Sequence, residues 1–529
     1  MFSFFGTDGI RGKTFTDNVE EKDSLDMLVE QRLLHPHVFR LLGEAIGLNL
    51  DLFGEHGRLV VIGWDQRPNN PLLAQQLSIG LNMMDCEVIH VPNTSTPALH
   101  GLLLHHKATL GCMITASHNP ATDSGIKLFN SDGLKCTPDK EAYLSEVMIQ
   151  LSAEERPVEE EDLNRYSQPA CMITEQESAA FHQQWLSYRL GMWLEQCDGS
   201  DVLKIGNPLY VDSSGGAAKH WLSSFLSTHG IPSVEVSLDV AALNMNCGAG
   251  GLKPGMAWSW NELQDNSHAL LSSIQRCEAG FIVGAAIDGD GDRCMLLEST
   301  LEGVRIIDGD DMANMLIHAA QQDSWKVACS IESDLEFQQQ IIMSHKENEC
   351  FETAVGDRWL GFALTPFLTT HNHLHILGVE DSGHLVMPSS TDELPESLVG
   401  DGVATMIRTL KCGQPVSRDK MGQKLRISLF NAHRVRWSNQ TPLFLECHSM
   451  VMEWLNQQGF QSSRQHIEGE PHLLLVKFSD DSSYGFIGIR NSGTEEKTNI
   501  TLRLSHESNP EQFTQLIDEI KRILEPAFL

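Results

Sequence analysis

Short apolar runs, many of them partly β-branched, recur along this chain, each closed by turn formers and most followed by a segment with helical spacing. "RLVVIGWDQRP" leads into "NNPLLAQQLSIGLNMM" and then "CEVIHVPNTSTP". That alternation predicts parallel α/β units. A second block opens near "LYVDSSGGAAKHWLSSFLSTHG" and reaches "GFIVGAAI", and a third opens at "RIIDGDDMANMLIHAA". From about Gly422 the pattern changes. "HLLLVKFSDDSSYGFIGIRNSGTEEKTNITLRL" reads as successive strands and turns, flanked by helices "PLFLECHSMVMEWLNQQG" and "PEQFTQLIDEIKRIL", which predicts an α+β end domain. The acidic, proline-bearing "SAEERPVEEEDLNRYSQP" suits an exposed connection and a domain boundary, and "TDNVEEKDSLDMLVEQRLLHP" a surface insertion carrying a helix. No repeat stands out by eye, although the first three blocks share one strand-helix grammar.

A chain of 529 residues exceeds one core and suggests about three to five domains. Its hydrophobic content of 41% and charged content of 21% are those of a soluble globular enzyme. With 38 Lys+Arg against 71 Asp+Glu, the formal charge of -33 disfavours nucleic acid and anionic lipid as partners, so a basic site for an anionic substrate must be local. No leader and no membrane-length apolar run is visible, which implies a cytoplasmic protein. The 12 cysteines lack zinc spacing and read as reduced, mostly buried thiols. The 23 histidines are dispersed, and neither His105-His106 nor "HNHLH" is assigned a function.

Four stretches carry candidate chemistry. In "MITASHNPATDSGIKLF", Ser117 follows a buried strand and opens a turn, where ligand sites collect in open α/β sheets. Most serines in such turns only bond their own backbone, and the nucleophile elbow of serine hydrolases is excluded, because Thr115 and Asn119 stand where it needs glycines. In "GAAIDGDGDRCMLLE", Asp288, Asp290 and Asp292 alternate with glycines after a strand. They can converge on one hard cation; an EF-hand is excluded by Arg293 and Ser299 at its Gly and Glu positions. Carboxylates this crowded repel one another unless neutralised, which favours a metal over a solvated turn, and Mg²⁺ suits three oxygens plus a phosphate. "IRNSGTEEKTNI" sets Arg490, Ser492, Gly493 and Thr494 in a turn able to cradle phosphate, and "ILGVEDSGHLVMP" offers Glu380, Ser382 and His384 to a polyhydroxyl ligand.

Together these stretches resemble the α-D-phosphohexomutases, whose phosphoserine, metal, sugar and phosphate loops match "TASHNP", "DGDGDR", "VEDSGH" and "RNSGTE" in order. "FGTDGIRG", "IGWDQR", "TSTPAL", "VDSSGGAA", "IDGDDMANML" and "VGDGVATM" extend the likeness over almost the full chain. The resemblance implies a four-domain architecture of three similar α/β domains with mixed sheets (residues 1–165, 166–301 and 302–418) and a C-terminal α+β domain (419–529). It implies an intramolecular phosphotransferase. Ser117, carried as phosphoserine, would donate its phosphoryl group to a hexose monophosphate, and the resulting bisphosphate would turn over and return its other phosphoryl group. Ser117, Asp288, Asp290 and Asp292 would ligate Mg²⁺; Arg11, His118 and Lys127 would serve the transfer; and Arg293 would help order the metal loop. Glu380 and Ser382, with His384, would hold the sugar, while Arg490, Ser492, Gly493 and Thr494 would grip the other phosphate. A hexose bisphosphate is the expected activator and a small-molecule sugar phosphate the expected partner, in a monomer or homodimer. "VGDRWL" points to glucosamine 6-phosphate, with mannose and glucose phosphates as the alternative and a catalytically silent sugar-phosphate-binding module as a second. Departures from the family are the acidic connection around 150–180, the insertion near 17–37, Val379 for the usual glycine, and Asp381, an acid that could face a 2-ammonium group.

Overall fold

The run "LGCMI" forms the strand Leu110–Ile114, buried at all five positions because its sheet is covered on both faces. Ile282–Ile287 and Ile376–Val379 are buried throughout in the same way. In the computed structural model, which describes residues 3–528 apart from 56, 155–159, 196–202, 392–393, 418–420, 432–435 and 493–495, these three strands occupy equivalent places. Each has a parallel neighbour on one side and, on the other, an antiparallel strand that follows it directly in the chain.

The first sheet runs Leu33–Leu34, Ile10–Thr14, Asp123–Asn130, Leu110–Ile114, Leu59–Trp64, Glu87–Val91, Cys171–Met172. The second runs Ala257–Ser259, Gly303–Ile307, Cys294–Ser299, Ile282–Ile287, Ile205–Asp212, Ser233–Glu235. The third runs Glu349–Thr353, Lys326–Ser330, Ile376–Val379, Leu385–Pro388, Leu398–Gly400. All three are mixed. Ile114 pairs with Ile126, Ile287 with Cys294 and Val379 with Leu385, so residues 115–122, 288–293 and 380–384 are the same corner built three times, at the carboxyl end of a parallel strand.

We propose to draw the domains by sheet membership. Cys171–Met172 pairs with Glu87–Val91, and Gly303–Ile307 pairs with Cys294–Ser299. The first two units therefore extend past the expected divisions at 165 and 301. The early insertion carries the helix Glu21–Gln31 and an edge strand. The helix Glu175–Leu194, opened by a Thr174/Glu177 capping box, crosses between units. Its His182 and Arg189 both reach Asp401, the N-cap of the helix Gly402–Cys412.

The fourth sheet is fully antiparallel: Gln423–Phe430, Lys497–Leu504, Tyr484–Asn491, Leu474–Ser479, Gln461–Gln465. Its first strand alternates. Ile427 and Leu429 face a core shared with the helices Pro442–Gln457 and Thr514–Phe528, and Lys424, Arg426 and Ser428 therefore lie on the other face. That face meets the third sheet. Lys424 Nζ reaches Asp310 Oδ2 at 2.9 Å and Asp381 Oδ2 at 3.1 Å, and Arg503 donates to Ser333 O and Glu352 Oε1. A small apolar patch of Ile331, Leu473 and Leu475 completes the contact.

Among the described residues no helix is long and apolar enough to cross a membrane. Ten of the described cysteines carry free thiols. The expectation of uniformly reduced cysteines is corrected at Cys412, which is disulfide-bonded; its half-buried place at a helix end leaves the sulfur open to pairing.

Candidate active site

Ser117 lies three residues beyond its strand, buried, with φ +52°. A left-handed conformation at a non-glycine residue is strained and persists only where its surroundings enforce it. Arg67 enforces it here. Its buried guanidinium donates to the carbonyls of Ser117 (2.7 Å), Asn119 (3.0 Å), Pro120 (2.5 Å) and Asp123 (2.8 Å), while Asp65 holds the guanidinium at 3.1 Å. Asn244, from the second unit, donates to Ser117 O and Asn119 O as well. The turn is thus fixed through its backbone, and the Ser117 side chain is left for other work.

That hydroxyl donates to Asp288 Oδ2 at 2.5 Å. Asp288, Asp290 and Asp292 are all buried, with ligand oxygens within 4.8 Å of one another. Burial and the two neighbouring carboxylates push Asp288 well above the usual carboxylate range. Burial would raise Asp292 too, but Lys127 and His384 hold it well below that range. Lys127 Nζ bridges Asp290 and Asp292 at 2.8 and 2.6 Å, and Thr96 donates to Asp290 at 2.6 Å. The second oxygen of Asp290 is buried with no hydrogen-bond partner among the described residues. A buried orphan carboxylate oxygen beside two further carboxylates fits a hard divalent cation, so the trio fits a metal site.

Arg11 Nη1 donates to Ala116 O at 3.4 Å and Nη2 to Asp8 at 3.3 Å, beside the serine turn. His118 packs against Gly250, where an added Cβ would come within 2.6 Å of the His118 Cβ. Burial, with Arg293 and Arg11 nearby, lowers its pKa well below the usual histidine value, and its Nδ1 has no described partner. Arg293 joins the metal corner through its backbone N–H to Asp288 Oδ1. The third corner abuts the second: Gly383, at φ +81°, lets Cys294 N donate to Gly383 O at 2.9 Å, where any Cβ would strike the Cys294 carbonyl. His384 consequently lies 3.6 Å from Asp292 and 3.4 Å from Asp357. Burial opposes its charge, but those two carboxylates raise its pKa to about 10. Glu380 accepts from Gly356 N at 2.7 Å and from Ser382 Oγ at 3.3 Å.

Asp381 does not face this centre as an open acid. It pairs with Lys424 and with Arg426 (3.3 Å) of the fourth sheet, and so is not free to address an ammonium group on a substrate. Val379 fills the glycine position as a fully buried core residue. Arg490 sits on the fourth sheet between Glu332 (3.8 Å) and Glu470 (3.4 Å), and Ser492 is buried at the start of the hairpin. Gly493 and Thr494 lie outside the described residues.

Residues 3–155 match the family model described as phosphoglucomutase/phosphomannomutase, alpha/beta/alpha domain I. A phosphoglucosamine mutase of Teredinibacter turnerae is 28% identical over 491 residues, covering 89% of this chain and 91% of the relative. A phosphoglucomutase/phosphomannomutase family protein of Burkholderia thailandensis shares the fold across 99% of this chain and 97% of its own, with a TM-score of 0.61 at 18% identity. The N-acetylphosphoglucosamine mutase of Aspergillus fumigatus, solved with GlcNAc-6P and magnesium, does so over 83% and 93%, with a TM-score of 0.53 at 16% identity. Along almost its whole length the chain is similar to the α-D-phosphohexomutases.

Several residues that organise this candidate site escape the motif reading. Arg67 and Asp65 lie in "IGWDQR", a stretch noted only for its likeness, and their grip on the serine turn needs coordinates to be seen. Thr96 and Asn244 reach the corners from distant segments. "VGDRWL" supplies a bridge: Gly356 fixes Glu380, Asp357 joins Lys135 (3.1 Å) to His384, and Arg358 forms a buried two-pronged pair with Glu141 at 2.7 and 2.6 Å. Invariant spacing could not flag Asn244 or Glu141, because each stands alone in an ordinary local context.

Proposed function

We propose that this phosphohexomutase interconverts glucosamine 6-phosphate and glucosamine 1-phosphate through phosphorylated Ser117 and a glucosamine bisphosphate. The observation that carries the reading is the 2.5 Å contact between Ser117 Oγ and Asp288, because it joins a strained, backbone-fixed nucleophile to a buried carboxylate trio. In the transfer, the bond between phosphorus and Ser117 Oγ breaks as a sugar hydroxyl oxygen bonds to the same phosphorus. After the bisphosphate turns over, its other phosphoryl group returns to Ser117. Asp288, Asp290 and Asp292 would hold Mg²⁺, which supplies charge neutralisation at the phosphoryl oxygens. Lys127 adds an ammonium beside the same oxygens, Arg11 a guanidinium at the turn, and His118 a neutral imidazole able to take the hydroxyl proton. Glu380, Ser382 and His384 orient the sugar, and Arg490 with Ser492, Gly493 and Thr494 grips the phosphate not in reaction. A bisphosphate activator maintains the phosphorylated enzyme, and the cytoplasm, where such sugar phosphates are made, is the proposed location.

Glucosamine is favoured by the naming of the curated relatives, which carry that mutase name in Teredinibacter and in further bacteria. A phosphoglucomutase/phosphomannomutase reading is favoured by the description of the family model matched at residues 3–155. A panel of glucosamine, glucose and mannose 6-phosphates with trace bisphosphate and Mg²⁺ separates them. Much higher kcat/KM for glucose or mannose 6-phosphate would replace the glucosamine reading. A phosphoprotein mass that never rises with bisphosphate, together with no turnover of any sugar, would leave only a binding module.

A further inference from the structure

The cationic face of the fourth sheet holds a residue outside every motif. Arg426 pairs with Thr501 across the sheet, Thr501 with Gly488, and Arg490 follows two positions later, so Arg426 and Arg490 lie on the same face, on strands separated by one intervening strand. Two strand spacings are about 10 Å, within the combined reach of two arginine side chains. Both converge on one carboxylate: Glu332 lies 2.9 Å from Arg426 and 3.8 Å from Arg490. Arg426 is also the most open cation of this group, its side chain 35% exposed against 12% for Arg490, 20% for Lys424 and 1% for Arg503. A residue serving only to brace the sheets would be enclosed as Arg503 is. Its contact with Asp381 puts it beside the sugar-binding corner, one residue from Glu380.

We propose that Arg426 is a second guanidinium of the distal phosphate grip, and that Glu332 is the carboxylate which it shares with Arg490 until the substrate phosphate takes that place. The inference rests on the sugar-phosphate reading given above. A phosphate dianion offers three acceptor oxygens to two guanidiniums where Glu332 offers two, and planar arginine forks match that geometry. The position between the hairpin of Arg490 and the corner of Glu380 puts Arg426 against the phosphate and the adjoining sugar oxygens at once. No bond is made or broken in this exchange: one carboxylate yields its ion pairs to another anion.

Calorimetric titration of the full chain with glucosamine 6-phosphate and, separately, with inorganic phosphate tests the proposal without requiring turnover. Arg426→Gln should weaken glucosamine 6-phosphate about tenfold or more, the loss expected for a charge-assisted hydrogen-bond pair. Arg426→Lys should restore only part of it. Inorganic phosphate should weaken in parallel, since the phosphate is the group recognised. Glu352→Gln, which severs a different pair between the third and fourth sheets, should bind both probes as the wild type does. Wild-type affinity in Arg426→Gln, or an equal loss in Glu352→Gln, overturns the proposal, the second outcome marking Arg426 as a brace. Unchanged melting temperature in Arg426→Gln excludes misfolding; should that variant not fold, the affinity of Arg426→Lys decides in its place, wild-type binding overturning the proposal. A protein that binds glucosamine 6-phosphate through Arg426 yet converts no sugar phosphate would refute the mutase reading and leave this inference standing.

Discussion

The Ser117 hydroxyl and the Asp288 carboxylate, from different sheets, meet at 2.5 Å inside the protein, with Ser117 held at φ +52° by carbonyl contacts to Arg67. Ser117→Ala should therefore abolish phosphoenzyme formation and turnover while leaving the melting temperature within a few degrees, because the turn is secured through its backbone. Intact-mass measurement after incubation with hexose bisphosphate checks the first outcome. Persistent phosphorylation or turnover would remove Ser117 from its role.

Asp290 carries one of the two buried oxygens of the carboxylate trio that have no hydrogen-bond partner among the described residues, the other being on Asp292. Asp290→Asn should lower kcat on the order of a hundredfold or more, since a neutral amide cannot balance the cation. Mg²⁺ should raise the melting temperature of the wild type and not of the variant, and chelator should erase wild-type activity. Activity indifferent to chelation would refute the metal assignment.

The Arg358–Glu141 pair is buried at both ends and joins the third unit to the first. Removing one partner strands the other charge, so Glu141→Ala should destabilise by about 3–5 kcal/mol, measured by urea unfolding. A loss under about 1 kcal/mol would mean that water reaches Arg358.

Two buried histidines make stability depend on pH. Burial lowers His90 to about 4 and His100 to about 3, against about 6.5 in the unfolded chain. Between those values the unfolded state binds more protons, so stability is present above about pH 6.5 and falls as the solution is acidified. Unfolding free energy should drop from pH 7 to pH 5, and His100→Gln should show a shallower slope. Equal slopes would show that His100 is protonated in the folded protein.

Because Asp381 is engaged by Lys424 and Arg426, Asp381→Asn should reduce kcat/KM for glucosamine and glucose 6-phosphates by similar factors, within about threefold of each other. A loss confined to the amino sugar would mean that Asp381 reads the ammonium group after all.

The alternation of apolar runs and helical segments was legible because strands covered on both faces must be apolar throughout, as Leu110–Ile114 and Ile282–Ile287 are. The corners were legible because Ser117, the aspartate trio and Glu380 sit in short, chemically unusual turns directly after those strands. Their equivalence was not, since it resides in pairings such as Ile114–Ile126 and Val379–Leu385 and not in similar residues. Partners such as Asn244, Thr96 and Glu141 were hidden for the same reason, each becoming informative only once folding brings it to a site distant in sequence. What Asp381 addresses was not legible, because a carboxylate's neighbours and not its motif position decide it.

Building one corner three times has a cost in mobility. Each reversal is a few residues long and is anchored on both sides by paired strands, so none can swing aside as a lid. The fourth sheet differs from them, because it is fastened to the third by charged side chains around Lys424, Arg426 and Arg503 together with one small apolar patch. Dissolved salt weakens such fastenings, the exposed ones most. Raising ionic strength should therefore loosen the fourth sheet from the third before it disturbs the three corners.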